Sequence, residues 1–422
     1  MAGENFLYYK LRNNTAELWQ SDGAVTIYNY NTSSQCLYDL RSYQNDLFFQ
    51  TATLADANGY SYLINIDNIS RYFRTDSTLH IVFKNDIEIA LIGISEFQTI
   101  KDFQYLTNLL YNWKIEENIL NRNKKYIGTE YSIDIVNGYF PSFASARQYI
   151  NEGDILIFSE GEYTEGIELD IAGVDIYAPN ENVIFHNASN GASIIFANFN
   201  RVFGKAKFIE TGSPTVALIY FAGSTVAHDD NMYSFISATL IESSFNRSTT
   251  ADKGNCFYKI KTFTTSDNSH SNFDCDTSGV YIDVDCFLME HTGTNANMFP
   301  IQNSGVNYII LRGGKFISGS PISIENNGYA VMTINTINCY FDIPIAGAGV
   351  IYTTDIVHCY VNIFNTYVSN PANNTYILFV FGEQAEINFY SNGYSCKGVT
   401  GDALISRFQG DFVEELNISS VL

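Results

Sequence analysis

Two stretches of this chain echo each other. Ile337-Asn-Cys-Tyr-Phe-Asp-Ile343 and Val357-His-Cys-Tyr-Val-Asn-Ile363 align at an offset of 20 (357 − 337). Each alternates residue types with the period of two expected of a strand that buries one face. Apolar runs beginning at Ile155, Val174 and Ile194 keep a similar spacing, 19 and then 20 residues (174 − 155, 194 − 174). Short strands that return this often cannot each bury a face alone. Stacked as coils of a solenoid, at about 4.8 Å per layer, they bury it together. In that arrangement Cys339 stacks on Cys359 inside the core and Tyr340 stacks on Tyr360 outside. Asn307-Tyr-Ile-Ile-Leu311 and Glu386-Ile-Asn-Phe-Tyr390 read as further coils. The competing arrangement is a sandwich of irregular antiparallel strands.

Composition supports strands. Among 422 residues there are 30 Tyr and 31 Phe but only 7 Pro, a profile that favours β-structure over disorder. The net charge of −22 excludes a basic nucleic-acid-binding face and docking on an anionic membrane. Seven cysteines without a Cys-x-x-Cys pair point to reduced, buried thiols, neither a zinc site nor a disulfide framework. Met1-Ala-Gly-Glu-Asn5 does not open a signal peptide. The longest apolar stretch, Ile87 to Ile94, contains Glu88 and is too short to span a bilayer, so no membrane insertion is expected.

The N-terminal part reads differently. Ala24–Tyr28, Leu47–Thr53, Tyr60–Ile66, Leu79–Phe83 and Ile87–Ile92 read as strands, with hairpin turns at Asp56–Gly59 and Lys84–Asp86. Beyond Ser95, a candidate helix cap, Phe97, Ile100, Phe103, Leu106, Leu110 and Trp113 recur at steps of three and four. They predict a helix packed on its own meander. A helical neck around a trimer axis is the alternative. Residues 1–115 are thus expected to form a small α+β domain, 116–139 a linker, 140–397 the solenoid and 398–422 a C-terminal cap.

The stretch from Phe140 to Phe185 carries a likeness to known proteins. Ser142 can cap a short helix with Phe143, Ala146 and Ile150 on one face. Gly153-Asp154 opens a strand, Gly161-Glu162-Tyr163 forms a turn, and the strands Val174–Ala178 and Asn182–Phe185 follow. This order resembles the start of the pectate-lyase-like right-handed β-helix superfamily. The resemblance implies a mainly β chain, with the α+β domain followed by a right-handed parallel β-helix whose open end the short helix covers. The superfamily includes polysaccharide lyases, glycoside hydrolases and bacteriophage tailspikes and fibres. The layout here is most similar to the phage branch. It implies a homotrimeric head or tail fibre or spike subunit of a virion, joined to other virion proteins by its N-terminal domain and binding host-surface glycans.

Chemistry is sparser. Asp274 and Asp276 alternate on one strand, and Tyr281, Asp283 and Asp285 on the next, with Glu290 shortly after. If the strands are neighbours, their carboxylates line one outer patch. Such a patch can supply an acid and a base for glycosidic cleavage, oxygens for Ca²⁺, or hydrogen bonds to sugar hydroxyls beside Tyr281. Tyr340 and Tyr360 are further glycan-binding candidates. The plainer reading is an acidic surface ladder that Lys259 and Lys261 neutralise. Bases suited to a lyase are scattered: Arg201, Arg247, Arg312, Lys315 and Arg407. His228-Asp229-Asp230 reads as a solvated loop. No cofactor is expected, and a polysaccharide depolymerase acting through the acidic patch stands as the alternative function.

Overall fold

In the computed structural model, residues 6–12, 14–187, 194–196, 200–210, 219–222, 232–241, 245–248, 255–266, 272–275, 281–292, 297–301, 306–324, 330–343, 349–353, 357–369, 376–381, 386–397, 405–408 and 414–417 are described. The chain is mainly β. An N-terminal unit of two antiparallel sheets and two long helices precedes a right-handed parallel β-helix.

Strands β1 (Phe6–Arg12), β2 (Thr15–Gln20), β3 (Val25–Asn29), β4 (Thr51–Ala55) and β5 (Ser61–Asn65) form one sheet in the order β3-β2-β1-β5-β4. Strands β6 (Ile69–Thr75), β7 (Thr78–Phe83) and β8 (Glu88–Ile92) form a second meander. Both expected hairpins are present. Asp56 closes the first turn by accepting from the backbone N–H groups of Asn58 and Tyr60 at 2.9 and 3.0 Å, and Asp86 takes a left-handed φ of 64° in the second. Helix α1 (Ser33–Leu47) lies between the expected strands Ala24–Tyr28 and Leu47–Thr53, where no element was expected. Thr32 caps it, accepting from Gln35 N, and Cys36, Leu37, Leu40 and Gln44 form its buried face.

Ser95 caps α2 (Glu96–Trp113) as expected. Tyr72 of β6 packs on Phe103 (5.2 Å) and bonds Thr107 (3.1 Å), so α2 does lie on its meander. Its other face, which carries Gln98, Asp102 and Tyr105, meets the β-helix. A short helix α3 (Ile115–Asn118) follows.

The β-helix begins earlier than expected. Lys124–Ile127, inside the anticipated linker, pairs in parallel with both Tyr139–Phe140 and Ile155–Phe158. Each early coil then contributes three strands. Ile155–Phe158, Gly161–Tyr163 and Ile167–Glu168 lie under Asp175–Ala178, Val183–His186 and Ile194–Phe196. The third strands of successive coils make a separate ten-stranded sheet. Phe158, Phe185, Phe208 and Phe235 stack up the interior, each ring 5.0 Å from the next. Helix α4 (Phe143–Ala146) has the expected cap, and Phe143, Ala146 and Ile150 join this core. Glu165 from the first coil holds the helix down, accepting from Phe143 N (2.7 Å) and Ala144 N (3.0 Å).

Coil length corrects the twenty-residue repeat. It holds at the start, where Leu156 lies beside Ile176 (176 − 156 = 20). Further on, Ile282 lies beside Ile309 and Ile337 beside Phe364, offsets of 27 (309 − 282, 364 − 337). Cys359 therefore pairs with Met332, Tyr360 with Thr333, and Tyr340 with Tyr367. The Cys339–Cys359 and Tyr340–Tyr360 stacks do not form. Register is set by the length of the turns within each coil, so a local likeness at offset 20 cannot override it. The expected C-terminal cap contains two more parallel strands, Ile405–Phe408 and Glu414–Asn417, which continue the ladders.

Candidate functional site

Parallel stacking places outward side chains in columns, one residue per coil. One column includes Ile155, Asp175, Arg201, Phe257, Asp283, Ile310, Asn335 and Asn362. A neighbouring one runs Ile236, Lys259, Asp285, Arg312, Ile337 and Phe364. Charges of alternating sign thus meet on adjacent rungs about 4.8 Å apart. Apolar members of the columns, Ile155, Ile236 and Phe257 among them, share a buried cluster with the adjacent pair Tyr177 and Phe203 and with Leu54, Leu106 and Leu109 of the N-terminal unit.

The acidic residues sit in the middle of that contact. Asp283 and Asp285 face out of the β-helix, as the alternation predicts, but they do not face solvent. They are 2% and 0% exposed beneath α2 and β4. Arg312 grips Asp283 with two bonds (2.7 and 2.8 Å), reaches Asp102 of α2 (2.7 Å) and donates to the carbonyl of Thr53 (2.9 Å). Its guanidinium lies 4.2 Å from the ring centre of Tyr105. Lys259 bonds Asp285 (2.6 Å) and the carbonyl of Thr51 (2.8 Å). The Tyr105 hydroxyl donates to Asp285 (2.6 Å) and accepts from Thr53 N (2.9 Å). Gln98 extends the network, accepting from Tyr308 (2.5 Å) and Asn335 (2.7 Å) and donating to Asp102 (2.9 Å).

Burial governs the electrostatics. It pushes up the carboxyls of Asp102 and Asp283 against the pull of Arg312, and it pulls the Lys259 ammonium down against Asp285. Burial also opposes the charge on Arg312, but Asp283 and Asp102 outweigh it and hold the guanidinium well above its ordinary value. The two-point grip on Asp283 is the geometry of a charged pair. Lysine neutralisation is thus correct for Lys259, but as a buried lock and not as a surface ladder.

Of the other candidates that are described, only Tyr281 reaches this point. Asp274 lies on Phe273–Cys275, which belongs to the ten-stranded sheet, whereas Asp283 and Asp285 belong to the other sheet. The two strands are successive and not adjacent, so a patch of four carboxylates does not form. Asp276 and the His228-Asp229-Asp230 trio lie outside the described residues. Glu290 is half-buried beyond a change of phase in its strand, where Cys286 and Met289 both point into the core. Tyr281 is covered, donates to Asp283 (3.2 Å) and lies beneath the Lys101 ammonium (4.1 Å). Tyr340 is half-buried against Tyr367 (4.9 Å), while Tyr360 stands 43% exposed. In this arrangement a polysaccharide cannot reach Asp283 or Asp285, whose carboxylates are already engaged by Arg312 and Lys259. Among the described residues, no group of three or more His, Cys, Asp or Glu is gathered for a metal ion. Nor is any helix long and apolar enough to cross a membrane.

An open hollow lies elsewhere along the same seam. Where α2 ends against the first coils there is a cleft of about 600 Å³ with Phe49, Trp113 and Tyr177 in its walls. A second hollow of about 530 Å³ shares Asp46, Gln50, Asp67 and Trp113 with it. Sequence reading used Trp113 only as a helix-face marker. The signal for the seam was an excess of apolar side chains, such as Tyr177 and Phe203, at outward positions of the coils.

No family model, curated protein or solved structure matches this chain. The likeness to pectate-lyase-like proteins therefore rests on the residues between Phe140 and Phe185.

Proposed function

We propose that the chain is a shaft subunit of a bacteriophage virion, a head or tail fibre or spike that binds host-surface glycans and assembles as a homotrimer. The observation that carries this reading is the β-helix of stacked coils with the N-terminal unit locked along its flank. Such a body is stiff, because each coil pairs with the next and buried ion pairs hold the flanking unit in one register. A stiff shaft holds a binding surface away from a particle, and many copies turn weak glycan contacts into firm attachment. The charge of −22 keeps neighbouring shafts soluble and apart when crowded on a particle. The N-terminal unit would meet other virion proteins through the surface turned away from the β-helix. A catalytic role through Asp283 and Asp285 is not part of the proposal, because both are buried.

Gold-labelled antibody against the N-terminal unit should decorate one fixed position on intact particles. Light scattering on the purified chain should return three times the mass of one chain. A stable monomer that decorates no particle would overturn the reading.

A further inference from the structure

The cleft at the end of α2 has the chemistry of a sugar site. A pyranose presents an apolar C–H face and a rim of hydroxyl groups. It is recognised by an aromatic plane together with carboxylates or amides at the plane's edge. Trp113 supplies such a plane, and its indole N–H is held by Asp67 at 3.2 Å. It borders both hollows, so the indole is a wall common to the two. Tyr177 and Phe49 add aromatic wall, and Asp46, Gln50 and Glu117 stand at the rim. At about 600 Å³ the cleft falls within the range of small-ligand sites, about 300–1,000 Å³. Its position between two packed units is also usual for such sites.

We propose that this cleft binds a neutral glycan segment, with the sugar face on Trp113 and its hydroxyls on Asp67, Asp46 and Gln50. The proposal rests on the reading of the chain as a glycan-binding attachment protein and gives that reading a place. Neutrality follows from charge. Asp46, Asp67, Glu116 and Glu117 outnumber the lining lysines Lys84, Lys114 and Lys205, and the chain as a whole carries −22. An acidic polysaccharide would approach against that field.

The chain has two tryptophans, which makes the test direct. Trp19 stacks on Tyr8 in the N-terminal sheet (5.5 Å) and is outside the cleft. The full-length Trp19→Phe variant therefore reports on Trp113 alone. It is titrated with chitotetraose, maltohexaose and mannohexaose, and with polygalacturonate as the acidic contrast. A saturable change in indole fluorescence with a neutral oligosaccharide, and none with polygalacturonate, is the expected result. Calorimetry should then show affinity at least tenfold weaker in Trp113→Ala and in Asp67→Asn, and unchanged in Tyr360→Ala. Asp67→Asn alters an exposed side chain and serves if Trp113→Ala does not fold. Neutral-glycan binding that survives both cleft variants and is lost in Tyr360→Ala would overturn the cleft while leaving glycan attachment intact. Saturable binding of polygalacturonate alone would overturn neutrality. No binding by any of the four would overturn the proposal, while particle labelling would still judge the fibre reading.

Discussion

Arg312 touches both units of the molecule, and its removal would leave Asp283 and Asp102 in a dry contact without their cation. Breaking one side of a buried pair costs about 3–5 kcal/mol. Arg312→Ala should therefore lose about that much unfolding free energy in a urea titration. Replacing both members of the neighbouring pair, as Lys259→Met with Asp285→Leu, should cost far less, since no charge is then stranded. Equal losses in the two experiments would mean that the ions contribute no specific lock. Asp102 adds a pH dependence. Burial raises its carboxyl above the ordinary value of 3.8, so the folded chain binds this proton more tightly than the unfolded one. The resulting stability is fully present below the ordinary carboxylate range and is lost as pH rises through the raised value. Asp102→Asn keeps an oxygen for Arg312 and removes the titration. Its stability should fall less than the parent's as pH rises above the ordinary carboxylate range. Parallel pH profiles would show that Asp102 does not titrate in this way.

At the scale of elements, local chemistry was readable wherever it was self-contained. Ser95 and Ser142 cap the helices expected of them, and Asp56–Gly59 and Lys84–Asp86 turn the expected hairpins. Helix α1 escaped because Cys36, Leu37 and Leu40 are set among Ser, Gln, Tyr and Asp, a weak apolar stripe whose burial depends on what lies against it. Gly204 shows the reverse, a position that only assembly makes special. Its φ is 101°, a Cβ there would meet the carbonyl oxygen of Ala178 at 1.9 Å, and its N–H donates to Asn112 of α2 (3.0 Å). Gly204→Ala should destabilise by about 1–3 kcal/mol, the usual range for forced overpacking, and should lower the thermal midpoint. An unchanged midpoint would show that the backbone yields at no cost.

The whole molecule is decided by its flank. An isolated β-helix would show solvent a column of apolar side chains and buried-type charges, and the N-terminal unit covers it. The two units should therefore stay together without a covalent link. With a protease site inserted between Leu120 and Asn121, the nicked halves should co-elute on size exclusion at physiological salt. Separation there would mean that the contact is weak. A chain starting at Lys124 should aggregate, because Ile236, Phe257 and their neighbours would lie open.

Taken alone, the amino-acid sequence determined the class of the fold. Alternating short strands, a change of period after Ser95 and a capped helix at Ser142 are local patterns, and local patterns depend on propensity and on burial of one face. It also placed Asp283, Asp285 and Lys259 on the outward side of their strands. Whether outward meant solvent was decided only by the tertiary structure. That depends on which coil lies beside which, at offsets that range from 20 (175 − 155) to 33 (234 − 201) residues, and on a helix some 180 positions earlier, where Tyr105 meets Asp285. Alternation along a strand separates its two faces but carries no information about what another part of the chain lays over the outer one.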